Sequence, residues 1–111
     1  MKELLFSYGT LQLKKVQLES FGRELNGTKE ILTGYKLEQL QITDRTVLKK
    51  SEQEFHPIAI PSKDPNDRVN GTLLEISTDE LRQADLYEVA DYKRVKAKFQ
   101  SGKQGWVYIK S

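Results

Sequence analysis

The sequence has 111 residues, with no cysteine, a single histidine (His56) and three prolines. The absence of cysteine excludes disulfides, thiolate nucleophiles, zinc ribbons and iron–sulfur clusters together. One histidine rules out multi-histidine metal sites and argues against a histidine-based triad. Chemistry is left to carboxylates, hydroxyls, phenols, amines and backbone groups. No apolar run approaches the roughly 20 residues needed to cross a bilayer. Glu3 and Ser7 interrupt the basic-then-apolar layout that a signal peptide would show. These features lead to the expectation of a soluble, cytoplasmic protein that engages no membrane. The 18 basic and 16 acidic side chains leave a net charge of +2. The basic residues are scattered, and lysine pairs such as Lys14-Lys15 and Lys49-Lys50 read as solvated faces, so no nucleic-acid partner is expected.

What is present fits one domain over residues 1–111 with one core. Leu4 to Tyr8 reads as a first strand ended by Gly9, and Lys14 to Phe21 as a short helix closed by Gly22. Leu32 to Ile42 predicts one or two strands with a bend near Gly34, and Thr46 to Lys50 is a weaker strand candidate. Phe55 to Pro61 is an apolar run bracketed by prolines. Pro57 lacks an N–H, so this piece is expected at an edge or bend. Ser62 to Arg68 carries turn chemistry, and Val69 to Ile76 reads as a strand whose Gly71 marks a bulge or a close backbone approach. Ser77 and Glu80 have the spacing of a capping box for a helix reaching about Tyr87. Tyr92 to Phe99 alternates, with Val95, Ala97 and Phe99 on one side, and a loop at residues 101–104 leads into Trp106 to Ile109. The order predicts an α+β protein with a curved or barrel-like mixed sheet and one or two flanking helices.

Two places carry candidate chemistry. In SYGTLQ, residues 7–12, a glycine turn, two hydroxyls and a tyrosine follow the first strand at once, where exposed amides offer donors to a ligand. In the capped helix, Leu81, Ala84, Asp85 and Glu88 share one sector at 100° per residue. That places Glu88 on the inner side at the C-terminal end. Partial burial and the negative end of the helix dipole would both push its pKa upward, toward a value suited to proton transfer near neutral pH. The plainer alternatives stand beside these. For Glu88 the alternative is a lysine pair in solvent, and for Asp85 a local hydrogen bond or a surface pair. For Tyr8 it is a core-packed ring donating one hydrogen bond, for Thr10 an ordinary turn residue, and for Trp106 and Tyr108 sheet packing. Arg94 reads as a surface residue or an ion-pair partner, and His56 as structural or exposed.

LFSYGTLQ, Gly34-Tyr35, HPIAIP, VNGTLLEI, DLYEVADYKRV and WVYI occur in that order along nearly the whole chain. Together they resemble the gamma-glutamylcyclotransferase-like family, which includes the plant avirulence-induced (AIG2-like) proteins. The resemblance implies a small mixed β-barrel with flanking helices and a cofactor-independent reaction that uses no metal. In that reaction the α-amine of a γ-glutamyl group attacks its own γ-carbonyl, releasing 5-oxoproline and an amine or amino acid. It further implies that Glu88 is the catalytic acid/base and that Tyr8, Gly9, Thr10 and Leu11 form the substrate-binding loop, with Tyr108 lining the pocket. The chain departs from members with demonstrated activity in having Val89-Ala90, where glycine often follows the glutamate. The implied partner is a small γ-glutamyl substrate, and the protein is expected to be a monomer or weak homodimer. Two other classes compete: a non-catalytic module binding a small carboxylate-bearing ligand, and an interaction protein using an exposed strand edge.

Overall fold

A computed structural model of the chain describes residues 2–41, 55–87 and 91–111. In chain order the elements are β1 (Lys2–Ser7), a 3-10 turn (Thr10–Gln12), α1 (Lys14–Phe21), β2 (Asn26–Thr33), β3 (Tyr35–Gln41), β4 (Phe55–Pro61), β5 (Arg68–Ser77), α2 (Thr78–Tyr87), β6 (Tyr92–Lys98) and β7 (Gln104–Lys110). The strand candidate Thr46 to Lys50 lies outside the described residues.

Local chemistry sets several of the boundaries. Gly22, in the left-handed region at φ 71°, ends α1, and its N–H donates to the Leu18 carbonyl. Gly34 at φ 80° makes the bend between β2 and β3, as the pattern predicts. At the start of α2 the capping box is reciprocal. The Glu80 amide donates to Ser77 Oγ at 3.1 Å, and the Ser77 amide donates to Glu80 Oε1 at 2.8 Å. Arg23 adds a two-pronged grip on the same carboxylate at 2.8 and 2.7 Å, tying the segment after α1 to the head of α2. These bonds hold the Glu80 carboxyl below its ordinary range, Arg23 being the largest cause and partial burial acting against it.

The strands form one mixed sheet in the order β2-β5-β1-β7-β4-β3, with β6 paired to β7. β2 and β3 end this path, so the sheet is curved and open rather than a closed barrel. The curvature brings the β6–β7 hairpin tip back onto β2. The Gln100 amide donates to the Ile31 carbonyl at 2.9 Å, and Ser101 Oγ donates to Glu30 Oε2 at 2.5 Å. Burial pushes the Glu30 carboxyl upward, but the bonds from Ser101 and the Ile31 amide, with the charge of Lys103, outweigh it and leave the pKa lowered. Alternation along each strand divides the core between the two faces. Phe6, Leu73, Val107 and Ile109 pack with Leu32, Ala59, Val69 and Phe99 on one face. Their sequence neighbours Leu5, Leu74 and Tyr108 pack with Leu25, Ile76 and the α2 residues Leu81 and Ala84 on the other.

The β7 strand is where the sheet forks. It pairs β6 antiparallel from Gln104 to Lys110. Its opposite edge is divided, with β1 parallel at Trp106 and Val107 and β4 parallel at Ile109 alone. Proline in β4 is therefore tolerated away from an edge. Pro57 faces Gln39 of β3, while β7 meets β4 only at Ala59. Of the expected edge or bend, the edge gives way to an internal strand whose second neighbour pairs at one point.

Candidate active site

The loop after β1 sits at this fork. Tyr8, the first residue beyond the strand, directs its hydroxyl into the gap between β7 and β4. The hydroxyl donates to the Tyr108 carbonyl at 2.5 Å and accepts from the Ala59 amide at 3.1 Å. A phenol thus takes the place of a ladder bond where two parallel neighbours part. Its ring packs on the face that holds Phe6, the centroids 6.4 Å apart.

Beyond Tyr8 the chain turns tightly. The Gln12 amide donates to the Gly9 carbonyl at 3.2 Å, and the Leu13 amide to the Thr10 carbonyl at 2.9 Å. The amides of Thr10 and Leu11 open the turn and have no acceptor within it, as the first N–H groups of any helical turn lack one. Gly9 has φ −126°, within reach of any residue, and a Cβ built on it would meet nothing within 4 Å. Its openness, rather than its torsion, is what bears on the site.

Three side chains brace the turn. Gln17, only 4% exposed, donates to the Leu11 carbonyl at 2.9 Å and accepts from the Leu25 amide at 2.8 Å. Gln12 donates to the Gly9 carbonyl at 3.2 Å and accepts from Thr72 Oγ1 at 2.9 Å. Leu11 itself packs against the helix-side cluster. The sequence reading does not single out Gln17. A glutamine in the middle of a short helix looks like a surface residue, and only the backbone groups it joins reveal its role.

Gly71 lies under the same loop. A Cβ there would come within 2.4 Å of the Ser7 carbonyl oxygen and 2.7 Å of the Phe6 ring, so the close approach inferred from the sequence is present. Beside the turn runs a cleft of about 690 Å³ whose lining includes Gln12, Lys29, Asn70, Thr72 and Ser101. Tyr8, Gly9, Thr10, Leu11 and Tyr108 do not line it.

On the helix side, Tyr108 and Asp85 meet. The Tyr108 hydroxyl donates to Asp85 Oδ1 at 2.7 Å, and Arg94 Nε reaches the same oxygen at 2.8 Å. The Arg94 guanidinium also lies 4.3 Å from the centre of the Trp106 ring, with Lys96 at 4.8 Å. Asp85 therefore makes a hydrogen bond to a distant strand rather than a local one, together with a partly exposed ion pair to Arg94. Glu88 lies outside the described residues. Of the predicted site residues, Tyr8 and Tyr108 are joined directly, through the hydroxyl of one and the carbonyl of the other. Their rings belong to opposite faces of the sheet.

The profile of the family described as "Gamma-glutamyl cyclotransferase, AIG2-like" matches residues 5–111. The chain belongs to this family. Among solved structures, an Arabidopsis thaliana protein determined in solution is 22% identical with a TM-score of 0.76, over 99% of this chain and 62% of its own. A gamma-glutamyl cyclotransferase is 19% identical with a TM-score of 0.76, over 100% of this chain and 68% of its own. An uncharacterized human protein is 20% identical with a TM-score of 0.78, over 99% of this chain and 67% of its own. At these identities the likeness concerns the fold. The chain spans 62% of the length of the Arabidopsis protein. No curated protein matches. Among the described residues, no helix of this AIG2-like chain is long and apolar enough to cross a membrane.

Proposed function

We propose that this family member is a cyclotransferase-type enzyme acting on a γ-glutamyl amine or a γ-glutamyl amino acid. The observation that carries the reading is the double attachment at Tyr108. Its carbonyl holds the loop after β1 through Tyr8, and its hydroxyl holds the last turn of α2 through Asp85. Glu88 follows that turn in sequence by one residue. The loop after β1 and the helix turn that precedes Glu88 in sequence are thus each fastened to one residue of β7.

The chemistry makes modest demands on the protein. The attacking amine and the γ-carbonyl carbon belong to one molecule, so holding the glutamyl group in a ring-closing geometry supplies much of the rate. In this reading the amides of the Tyr8, Gly9, Thr10 and Leu11 loop receive the glutamyl carboxylate and the carbonyl oxygen. The same donors stabilise the negative charge that develops on that oxygen as the new carbon–nitrogen bond forms. The Glu88 carboxylate accepts the proton shed by the amine and delivers one to the departing nitrogen as the old bond breaks. Tyr108 is part of the pocket wall in this scheme, and no cofactor enters it.

The test is incubation of the purified protein with a panel of γ-glutamyl amines and γ-glutamyl amino acids, following 5-oxoproline. The expected result is turnover of at least one compound, abolished in Glu88→Gln. Turnover that persists unchanged in that variant rejects the mechanism. A ligand that binds and stays intact over long incubation points instead to a binding module.

A further inference from the structure

The mechanism above leaves Asp85 unused, yet the carboxylate sits where a helix least favours one. It lies in the last turn of α2, at the negative end of the dipole, and that turn contains no basic residue. The apolar anchors of α2, Leu81 and Ala84, come earlier, and Leu86 in the last turn is 89% exposed. Among the described side chains of that turn beyond Ala84, Asp85 is the one that reaches the sheet. Its Oδ1 takes the Tyr108 hydroxyl at 2.7 Å and Arg94 Nε at 2.8 Å. Arg94 itself lies over the Trp106 ring. The carboxylate is thus gripped from both β6 and β7.

We propose that Asp85 is a positioning residue for the reaction, clamping the last turn of α2 to Tyr108 of β7 and Arg94 of β6 so that the chain enters Glu88 from a fixed point. This rests on the cyclotransferase reading. It also assigns the single proton of the Tyr108 hydroxyl to Asp85 rather than to the substrate, so that Tyr108 serves the site as a tie between helix and sheet.

The experiment compares Asp85→Ala, Asp85→Asn, Tyr108→Phe and the Asp85→Ala/Tyr108→Phe double variant with the wild type, using whichever γ-glutamyl compound the wild type turns over. For Asp85→Ala and for Tyr108→Phe, kcat is expected to fall roughly tenfold or more with KM little changed, as small misplacement of a reacting group does. The double variant is expected to lose no more than Asp85→Ala alone, because removing the carboxylate already removes its bond to Tyr108. Asp85→Asn keeps an oxygen for Tyr108 and is expected to recover much of the loss. A rise in KM with kcat preserved, losses that multiply in the double variant, or a lowered melting temperature with unchanged kcat would each overturn the proposal. If the wild type forms 5-oxoproline from no compound, the reaction reading fails by itself, and amide hydrogen exchange across residues 84–87 then decides the clamp. Faster exchange in both single variants, and no faster in the double than in Asp85→Ala, supports it. Exchange equal to the wild type overturns it.

Discussion

The hydroxyl of Tyr8 and the carbonyl of Tyr108, one hundred residues apart in the chain, are hydrogen-bonded at 2.5 Å. That bond closes the fork where β1 gives way to β4 along β7. It also joins the loop at the beginning of the chain to the strand near its end. Stability and the proposed chemistry meet there, and the expected behaviour of several variants follows from it.

Tyr8→Phe keeps the ring against Phe6 but removes one acceptor and one donor. The Ala59 amide and the Tyr108 carbonyl both lose a partner inside the fork. A loss of about 1–3 kcal/mol in unfolding free energy is expected. Urea denaturation measures it, with an unchanged m-value as the sign that the fold persists. A change below a few tenths of a kcal/mol would mean that the bond is not a structural one.

The buried Gln17 offers a sharper case, since its two amide atoms serve two different backbone groups. Gln17→Leu has a similar volume and no polar atoms. It should leave the Leu11 carbonyl and the Leu25 amide unpaired, at about 1–3 kcal/mol for each group that water cannot reach. The loop should loosen as well. Amide exchange at Leu25 is expected to rise well above what the global loss of stability explains.

Two glycines a short distance apart should respond in opposite ways. Gly71→Ala forces a Cβ to within 2.4 Å of the Ser7 carbonyl oxygen, which is backbone and cannot swing away, and should cost about 1–3 kcal/mol. Gly9→Ala meets nothing within 4 Å and should change stability by less than about 0.5 kcal/mol. If the loop amides receive the substrate, the same Gly9→Ala protein should nonetheless lose turnover. Thermal melts paired with 5-oxoproline assays separate the two effects.

The Arg23–Glu80–Ser77 cluster predicts a pH dependence. The folded-state pKa of Glu80 is lowered from about 4.5, chiefly by Arg23. Its contribution is therefore fully present above the unfolded-state value and is lost as pH falls through the lower folded value. Glu80→Gln should be less stable than the wild type by about 1 kcal/mol at pH 7, given the half-exposed arginine and the disturbed cap. The gap should narrow once pH drops well below 4.5. Denaturation midpoints measured from pH 7 to 2 check the sign. A gap that widens in acid contradicts the assignment.

Features whose causes lie a few residues apart could be read from the chain alone. α1 runs from Lys14 to Phe21 because a glycine stands where a left-handed cap is needed. α2 starts where Ser77 and Glu80 can satisfy each other's amides. The glycine at the β2–β3 bend and the alternation in β6 were equally legible, and the ordered motifs pointed to the family. The first half of β2, Asn26 to Glu30, shows no strand pattern, because its side chains through Lys29 are exposed and what makes it a strand is eight paired positions along β5. The place of Pro57 inside the sheet, the buried task of Gln17 and the capture of Asp85 by Tyr108 and Arg94 were likewise decided by strand order. Local sequence sets torsion and capping, because those forces act over a turn. Only the assembled sheet determines which distant carbonyl, amide or carboxylate each polar side chain finds.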